Sequence, residues 1–167
     1  MGVLRKPVNM RIYVDGVDAV GTVKAIELPE VEFSQMEQSG VGMAGTAEYP
    51  THMSPMEFTL TFLHYPPEFT NSMYDPLRTS QIMLSGEQKA YDGQGVPIPQ
   101  ALNITLRGRP KNIALGSFEE GETAEPEITY SCDYVKLTNN GAVQFEADVL
   151  TGIKVGGSLI SLFGLLG

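Results

Sequence analysis

The side chains able to do catalytic or metal chemistry are few and scattered. His52 and His64 are the two imidazoles in 167 residues, and Cys132 is the one thiol. Nucleophilic catalysis needs a nucleophile within reach of a base, and zinc needs three or four clustered nitrogen or sulfur ligands. Two separated histidines supply neither, and no HExxH, Walker-type glycine loop or G-x-S-x-G stretch occurs. His64 ends the apolar face of a strand, where a structural or rim role suits it, and His52 sits in a loop among prolines and methionines. Cys132, in the middle of a strand, reads as a small buried apolar residue, and a lone cysteine forms no internal disulfide. The expectation is a protein with no catalytic residues, no cofactor and no metal.

Charge offers the next candidates. Glu119, Glu120, Glu122, Glu125 and Glu127 form the densest acidic run, but calcium wants alternating oxygen donors in a fixed loop. Gly121 and Pro126 point instead to a solvated turn. Arg107, Arg109 and Lys111 form a basic cluster that could bind an anion or pair with such an acidic surface on another subunit. Opposite charges separated within one chain suit a head-to-tail ring or stack. The net charge of −9 disfavours nucleic-acid binding, which relies on Lys and Arg displacing counterions from phosphate.

The elements that would position these residues are strands. A 42% apolar, 19% charged chain with 18 glycines and 11 prolines fits a turn-rich all-β domain with a core of its own. Asp15-Gly16 is a hairpin signal following Asn9–Val14, with a return run from Val17 to about Leu28 in which Gly21 is a candidate bulge. Pro29 breaks that run, and Val31–Ser39 alternates again. Residues 40–55 carry glycines, prolines and two methionines without periodicity, and are expected to form a long loop: a lid, or an arm reaching another subunit.

Met56–Tyr65 is the clearest strand, with Met56, Phe58, Leu60, Phe62 and His64 on one face and Glu57, Thr59 and Thr61 on the other. Pro66-Pro67 stops it, and Glu68–Tyr74 is expected as a short helix. Arg78–Lys89 is extended, followed by a turn at Asp92–Gly95. Leu102, Ile104 and Leu106 alternate with Asn103, Thr105 and Arg107. Ile128–Thr138 turns at Asn139-Asn140-Gly141 into Ala142–Ala147.

At the start of the chain Val3-Leu4 runs straight into Arg5-Lys6-Pro7, which does not read as a secretory signal. The apolar run Ser158–Gly167 is about half the length a membrane-spanning helix needs, so it is expected to dock on a protein surface.

Taken in order, the Asp15-Gly16 turn, Leu28-Pro29, the glycine-rich Gly40–Gly45, Arg107-Gly108 with Lys111, Gly121-Glu122, Tyr134–Leu137, and Gly141 before Glu146 and Asp148 resemble the major tail tube proteins of contractile-tailed bacteriophages and phage-tail-like bacteriocins. The resemblance runs from about Asn9 to Gly157 and is weaker over residues 46–100. It implies a mainly β subunit, two packed antiparallel sheets of sandwich or barrel-like form with one flanking helix and a long loop arm. On this reading residues 1–157 are the tail tube domain and 158–167 a hydrophobic tail.

The resemblance further implies six subunits per ring, with sheets joined around a channel and rings stacked into a rigid tube inside a contractile sheath. Implied partners are the chain itself, sheath, baseplate, tail terminator and tape-measure proteins, with DNA, ions or effectors passing without specific binding. The implied location is a virion tail or contractile particle assembled in the bacterial cytoplasm.

Joined to the residues, this makes Glu27, Glu37, Glu57, Thr59 and Thr61 the expected lumen-facing set, since an acidic wall repels a polyanion. Gly40, Gly42, Met43, Gly45, Tyr49 and Met53 become the expected stacking arm. Arg107, Arg109 and Lys111 are expected to meet Glu119, Glu120 and Glu122 between rings. The competing reading is a ligand-binding β-barrel with residues 40–55 as its lid, which predicts a sealed apolar pocket and a stable monomer.

Overall fold

The computed structural model describes residues 5–91 and 93–160. Among them are twelve strands: β1 (Arg5–Val14), β2 (Val17–Asp18), β3 (Val23–Glu27), β4 (Phe33–Gln38), β5 (Ala47–Met53), β6 (Met56–Phe62), β7 (Ser80–Tyr91), β8 (Pro97–Ala114), β9 (Glu127–Asn139), β10 (Ala142–Asp148), β11 (Gly152–Val155) and β12 (Ser158–Ile160). A 3-10 turn at Pro67–Phe69 leads into the one helix, α1 (Thr70–Tyr74), close to the expected span.

Two tight turns follow directly from their residues. Asp15 (φ 50°) with Gly16 (φ 82°), and Asn140 (φ 51°) with Gly141 (φ 79°), are all left-handed. That is what a two-residue hairpin turn requires, and Asp, Asn and Gly tolerate it best. Asn140 also bonds β8, donating its N–H to the Ala101 carbonyl (2.8 Å) and accepting the Ala101 N–H on Oδ1 (2.9 Å).

Ten strands form one antiparallel sheet, and β4 and β5 form a second, two-stranded one. β9 divides the large sheet. Along one edge it pairs with β8 for its whole length, from Glu127 to Asn139. Along the other it pairs first with β6, over Glu127–Cys132, and then with β10, over Tyr134–Asn139. The β8–β9 ladder shifts register between Arg107 and Gly108, passing over Asp133. An irregularity of this kind re-aims a strand.

One half of the sheet is therefore β3-β6-β9-β8, and the other runs β12-β11-β10-β9-β8-β7-β1, with β2 on the tip of β1. Their inner faces meet. Phe58, Leu60, Phe62 and Tyr130 of the first half share one buried cluster with Val14, Ile82, Leu106, Val135 and Ile153 of the second. The sheet must fold over on itself to bring them together, which makes the two halves the layers of a sandwich.

Gly108 sits at the bend because nothing larger fits. A Cβ there would overlap the Ser131 carbonyl oxygen and lie 3.0 Å from Phe58 Cε1. Beside it the Phe58 and Tyr130 rings stack with centroids 4.8 Å apart.

Helix α1 is held by polar contacts as well as by burial of its own Met73 and of Phe69 just before it. The Tyr130 hydroxyl donates to the Ser72 carbonyl (2.9 Å), and the Ser72 hydroxyl donates to Asp15 Oδ2. Asp15 Oδ1 accepts the Gln81 N–H (2.9 Å), so the first hairpin, the helix and β7 are tied at one point. Buried polar groups need such partners.

Three expectations are corrected. The return run does not reach Leu28 unbroken: it stops after Asp18, and Gly21 (φ 81°) lies in a turn, not a bulge. Residues 40–55 are not one long loop, because Ala47–Met53 is β5, paired with β4. The strand carrying Leu102–Leu106 starts at Pro97, earlier than the alternation signals, and pairs with β7 up to Tyr91. Asp92 of the expected Asp92–Gly95 turn and residues 161–167 of the apolar tail lie outside the described residues, while Ser158–Ile160 continues the sheet beside β11.

Candidate functional site

Strand alternation puts Glu57, Thr59 and Thr61 on the outer face of β6, since Met56, Phe58, Leu60 and Phe62 are all buried. Residues directly opposed in antiparallel strands share a face. Glu27 lies opposite Thr59, which lies opposite Thr129. Glu57 lies opposite Ser131, which lies opposite Arg109. The outer face of the β3-β6-β9-β8 half thus gathers four of the five expected lumen residues with a band of hydroxyls, and the Thr59 and Thr129 hydroxyls are 3.2 Å apart. Glu37 is not among them: it lies in β4 of the small sheet, directly opposite Glu48.

The basic cluster divides among different neighbours. Lys111 Nζ bonds Glu57 Oε2 at 2.7 Å. The Arg107 guanidinium lies 4.2 Å from the centre of the Tyr134 ring, a cation–π geometry. The Tyr134 hydroxyl donates to Glu146 (2.9 Å), and loss of water together with that carboxylate pushes its pKa up to about 12. Arg109 is exposed and makes no ion pair among the described residues. None of the three meets Glu119, Glu120 or Glu122 within the subunit.

Those glutamates are exposed in the connection from β8 to β9, residues 115–126. Phe118 beside them is 96% exposed. The connection is pinned by the Tyr65 hydroxyl on the Leu115 carbonyl (2.5 Å) and by Lys24 on Glu125 (2.7 Å). The Lys24 ammonium holds the Glu125 carboxyl below the usual carboxylate range. Neither Lys24 nor Tyr65 is among the site residues that sequence spacing singles out.

The ribbon β4–β5 and this acidic connection lie at opposite ends of the same half-sheet. The ribbon leaves where β3 ends and β6 begins, and the connection joins β8 to β9 where β6 ends. Phe33 and Met53 at the ribbon's base pack on the core. Towards the tip, Gly40, Gly42, Met43, Gly45 and Tyr49 are exposed, as is Met36, which pairs with Tyr49. A lone two-stranded ribbon is barely stable in water, so one held this far from the core suits a contact with another surface.

On the opposite layer, Tyr13, Met83, Thr105, Lys136, Glu146 and Lys154 form one row across five neighbouring strands and β11. Charge alternates along its second half, Lys136, Glu146 and Lys154, while Tyr13, Met83 and Thr105 carry none. Between the layers, Phe58, Tyr130, Phe62, Phe69, Leu60 and Ile82 are fully buried, so the interior is filled with side chains where a ligand barrel would be hollow.

Residues 5–158 match the family described as phage tail tube protein FII. The chain is 27% identical over 161 residues to the tail tube protein of Escherichia phage P2, covering 92% of this chain and 90% of that one. Its fold is similar to a chain in the sheath/tube terminator of the extracellular contractile injection system PVC, with a TM-score of 0.55 at 17% identity over 80% of this chain and 96% of that one. It is equally similar to a chain in the PVC sheath-tube complex, also in the extended state: TM-score 0.55 at 16% identity, covering 77% of this chain and 87% of that one.

Proposed function

The chain belongs to the phage tail tube protein FII family, and on that premise we propose that it is the structural subunit of the rigid inner tube of a contractile particle. Six copies form each ring, rings stack, and the stacked bores make one channel inside the sheath. The observation that carries this reading is the match across residues 5–158. A subunit with a filled core, polar outer faces on both layers and open strand margins is consistent with it.

In this reading Glu27, Glu57, Thr59 and Thr61 line the bore. Hydroxyls dominate that wall, and Lys111 neutralises Glu57. On a wall of hydroxyls with Lys111 already paired to Glu57, Arg109 is the one described cation without an ion-pair partner, too little charge for a polyanion to condense on, so DNA passes without being held. Glu37 and the ribbon belong to stacking instead: the β4–β5 arm reaches the adjacent ring, while Glu119, Glu120 and Glu122 flank the opposite rim. The row from Tyr13 to Lys154 turns outward to the sheath. Tail terminator and baseplate proteins close the ends, and a tape-measure protein occupies the bore until ejection.

The test is assembly itself. Purified protein, concentrated and viewed by negative stain, is expected to give rings and tubes of constant diameter. A species that stays monomeric at every concentration overturns the reading.

A further inference from the structure

Two long stretches of the chain carry no lysine or arginine: Ala25 to Leu77, which includes the β4–β5 ribbon, and Asn112 to Val135, which includes the β8–β9 connection. Along the ribbon Glu32, Glu37 and Glu48 are exposed, and Glu37 lies directly opposite Glu48. Like charges opposed in this way repel. In the connection Glu119, Glu120 and Glu122 are exposed as well. None of these carboxylates makes an ion pair among the described residues. Lys24 and Lys111, which immediately precede the two stretches, are taken by Glu125 and Glu57.

We propose that the arm of one ring and the rim of the next are surfaces of the same sign, so that ionic strength gates the growth of rings into tubes. This names a regulation of the stacking contact put forward above and rests on that reading. Rings stay apart while the carboxylates repel, and they stack once mobile cations screen them.

The basic cluster does not relieve the repulsion. Arg107 lies over the Tyr134 ring on the outer face of the other layer. Arg109 stays on the face of the four-stranded half, level with Ser131 and Glu57 and away from the connection. On the ribbon the His52 ring is occupied by the Ser34 and Thr51 hydroxyls, each 3.2 Å away.

What draws the two surfaces together is apolar. The connection borders a cleft of about 420 Å³ whose lining includes Leu63, His64, Tyr65 and Phe118, with Glu119 and Glu122 beside them. Val41, Met43 and Tyr49 are exposed on the ribbon. Apolar attraction acts only at contact. Coulomb repulsion reaches as far as the screening length, about 30 Å at 0.01 M salt and about 3 Å at 1 M. Salt therefore removes the repulsion and spares the attraction. A junction of opposite charges would respond in the reverse sense and loosen as salt rises.

The test follows stacking against sodium chloride at constant neutral pH, by sedimentation and negative stain. It compares unmodified protein with Glu119→Gln/Glu120→Gln/Glu122→Gln on the rim and Glu37→Gln/Glu48→Gln on the arm. For unmodified protein the concentration needed for tubes is expected to fall about 10-fold or more between about 0.01 M and about 0.5 M salt. Both variants are expected to make tubes already in low salt, with a threshold that salt moves by about 2-fold or less. Tubes that loosen or stay indifferent as salt rises, or variants that keep the unmodified response, overturn the salt gate and leave the stacking reading in place. Rings that never stack at any salt concentration bring down the stacking reading and the gate with it.

Discussion

Lys111 Nζ lies 2.7 Å from Glu57 Oε2, across β9 on the polar face of the four-stranded half. The pair spans β8 and β6 with Ser131 between them. It converts what sequence spacing presents as a free cation and a free carboxylate into a neutral patch. Because both groups are more than half exposed, the pair itself contributes only about 0–1 kcal/mol to stability.

Its consequence is for passage. Glu57→Gln is expected to shift the melting temperature by no more than a few degrees and to leave assembly unchanged, while freeing Lys111 on the face proposed to line the bore. Tubes of this variant should retain DNA in a salt-dependent manner, measured by filter retention of labelled DNA. Loss of tubes would place Glu57 in an interface instead.

Gly108→Ala is expected to destabilise the subunit by about 1–3 kcal/mol, the range for an overpacked site. The added methyl must displace the Ser131 backbone or the stacked Phe58 ring. Urea unfolding monitored by circular dichroism reads this, and an unchanged midpoint would contradict the account of the bend.

Removing Val41–Pro50 is expected to leave the large sheet folded, because these residues lie in the ribbon beyond its Phe33 and Met53 base. Rings should form and fail to stack. Electron microscopy decides this, and full-length tubes from the shortened chain would refute the stacking role of the arm.

Stability should fall in alkali. Burial pushes Cys132 up to about 11, and the surroundings of Tyr134 push it up to about 12, both above their ordinary values of 9.0 and 10.0. Tyr130 is raised further, chiefly by burial. A raised acid favours its neutral form in the folded state, so this stability is complete below about pH 9 and is lost as pH climbs through the folded values. Melting temperature against pH should decline between about pH 9 and 12, earlier than a phenol-only titration gives, and Tyr134→Phe should flatten its upper part.

Much of the fold is legible in residue order because one buried face writes a period of two. Met56–Phe62 is the clearest case, and the Asp15-Gly16 and Asn140-Gly141 turns announce themselves by their left-handed tolerance. β5 is hidden because the ribbon it belongs to is exposed towards its tip and interrupted by Pro50, so no alternation marks it. The start of β8 is masked by Pro97 and Pro99, whose place in a strand depends on a β7 partner far away in sequence. The candidate site shows the same division. Alternation groups Glu57, Thr59 and Thr61, but only strand pairing shows that Glu27, expected with them, shares their face and that Glu37, also expected with them, lies in the small sheet.

The most direct measurement is a reconstruction of the assembled tube by electron cryomicroscopy. The account predicts rings of six subunits whose bore is lined by Glu27, Glu57, Thr59 and Thr61. A bore lined by Tyr13, Met83, Thr105 and Lys136 would contradict it.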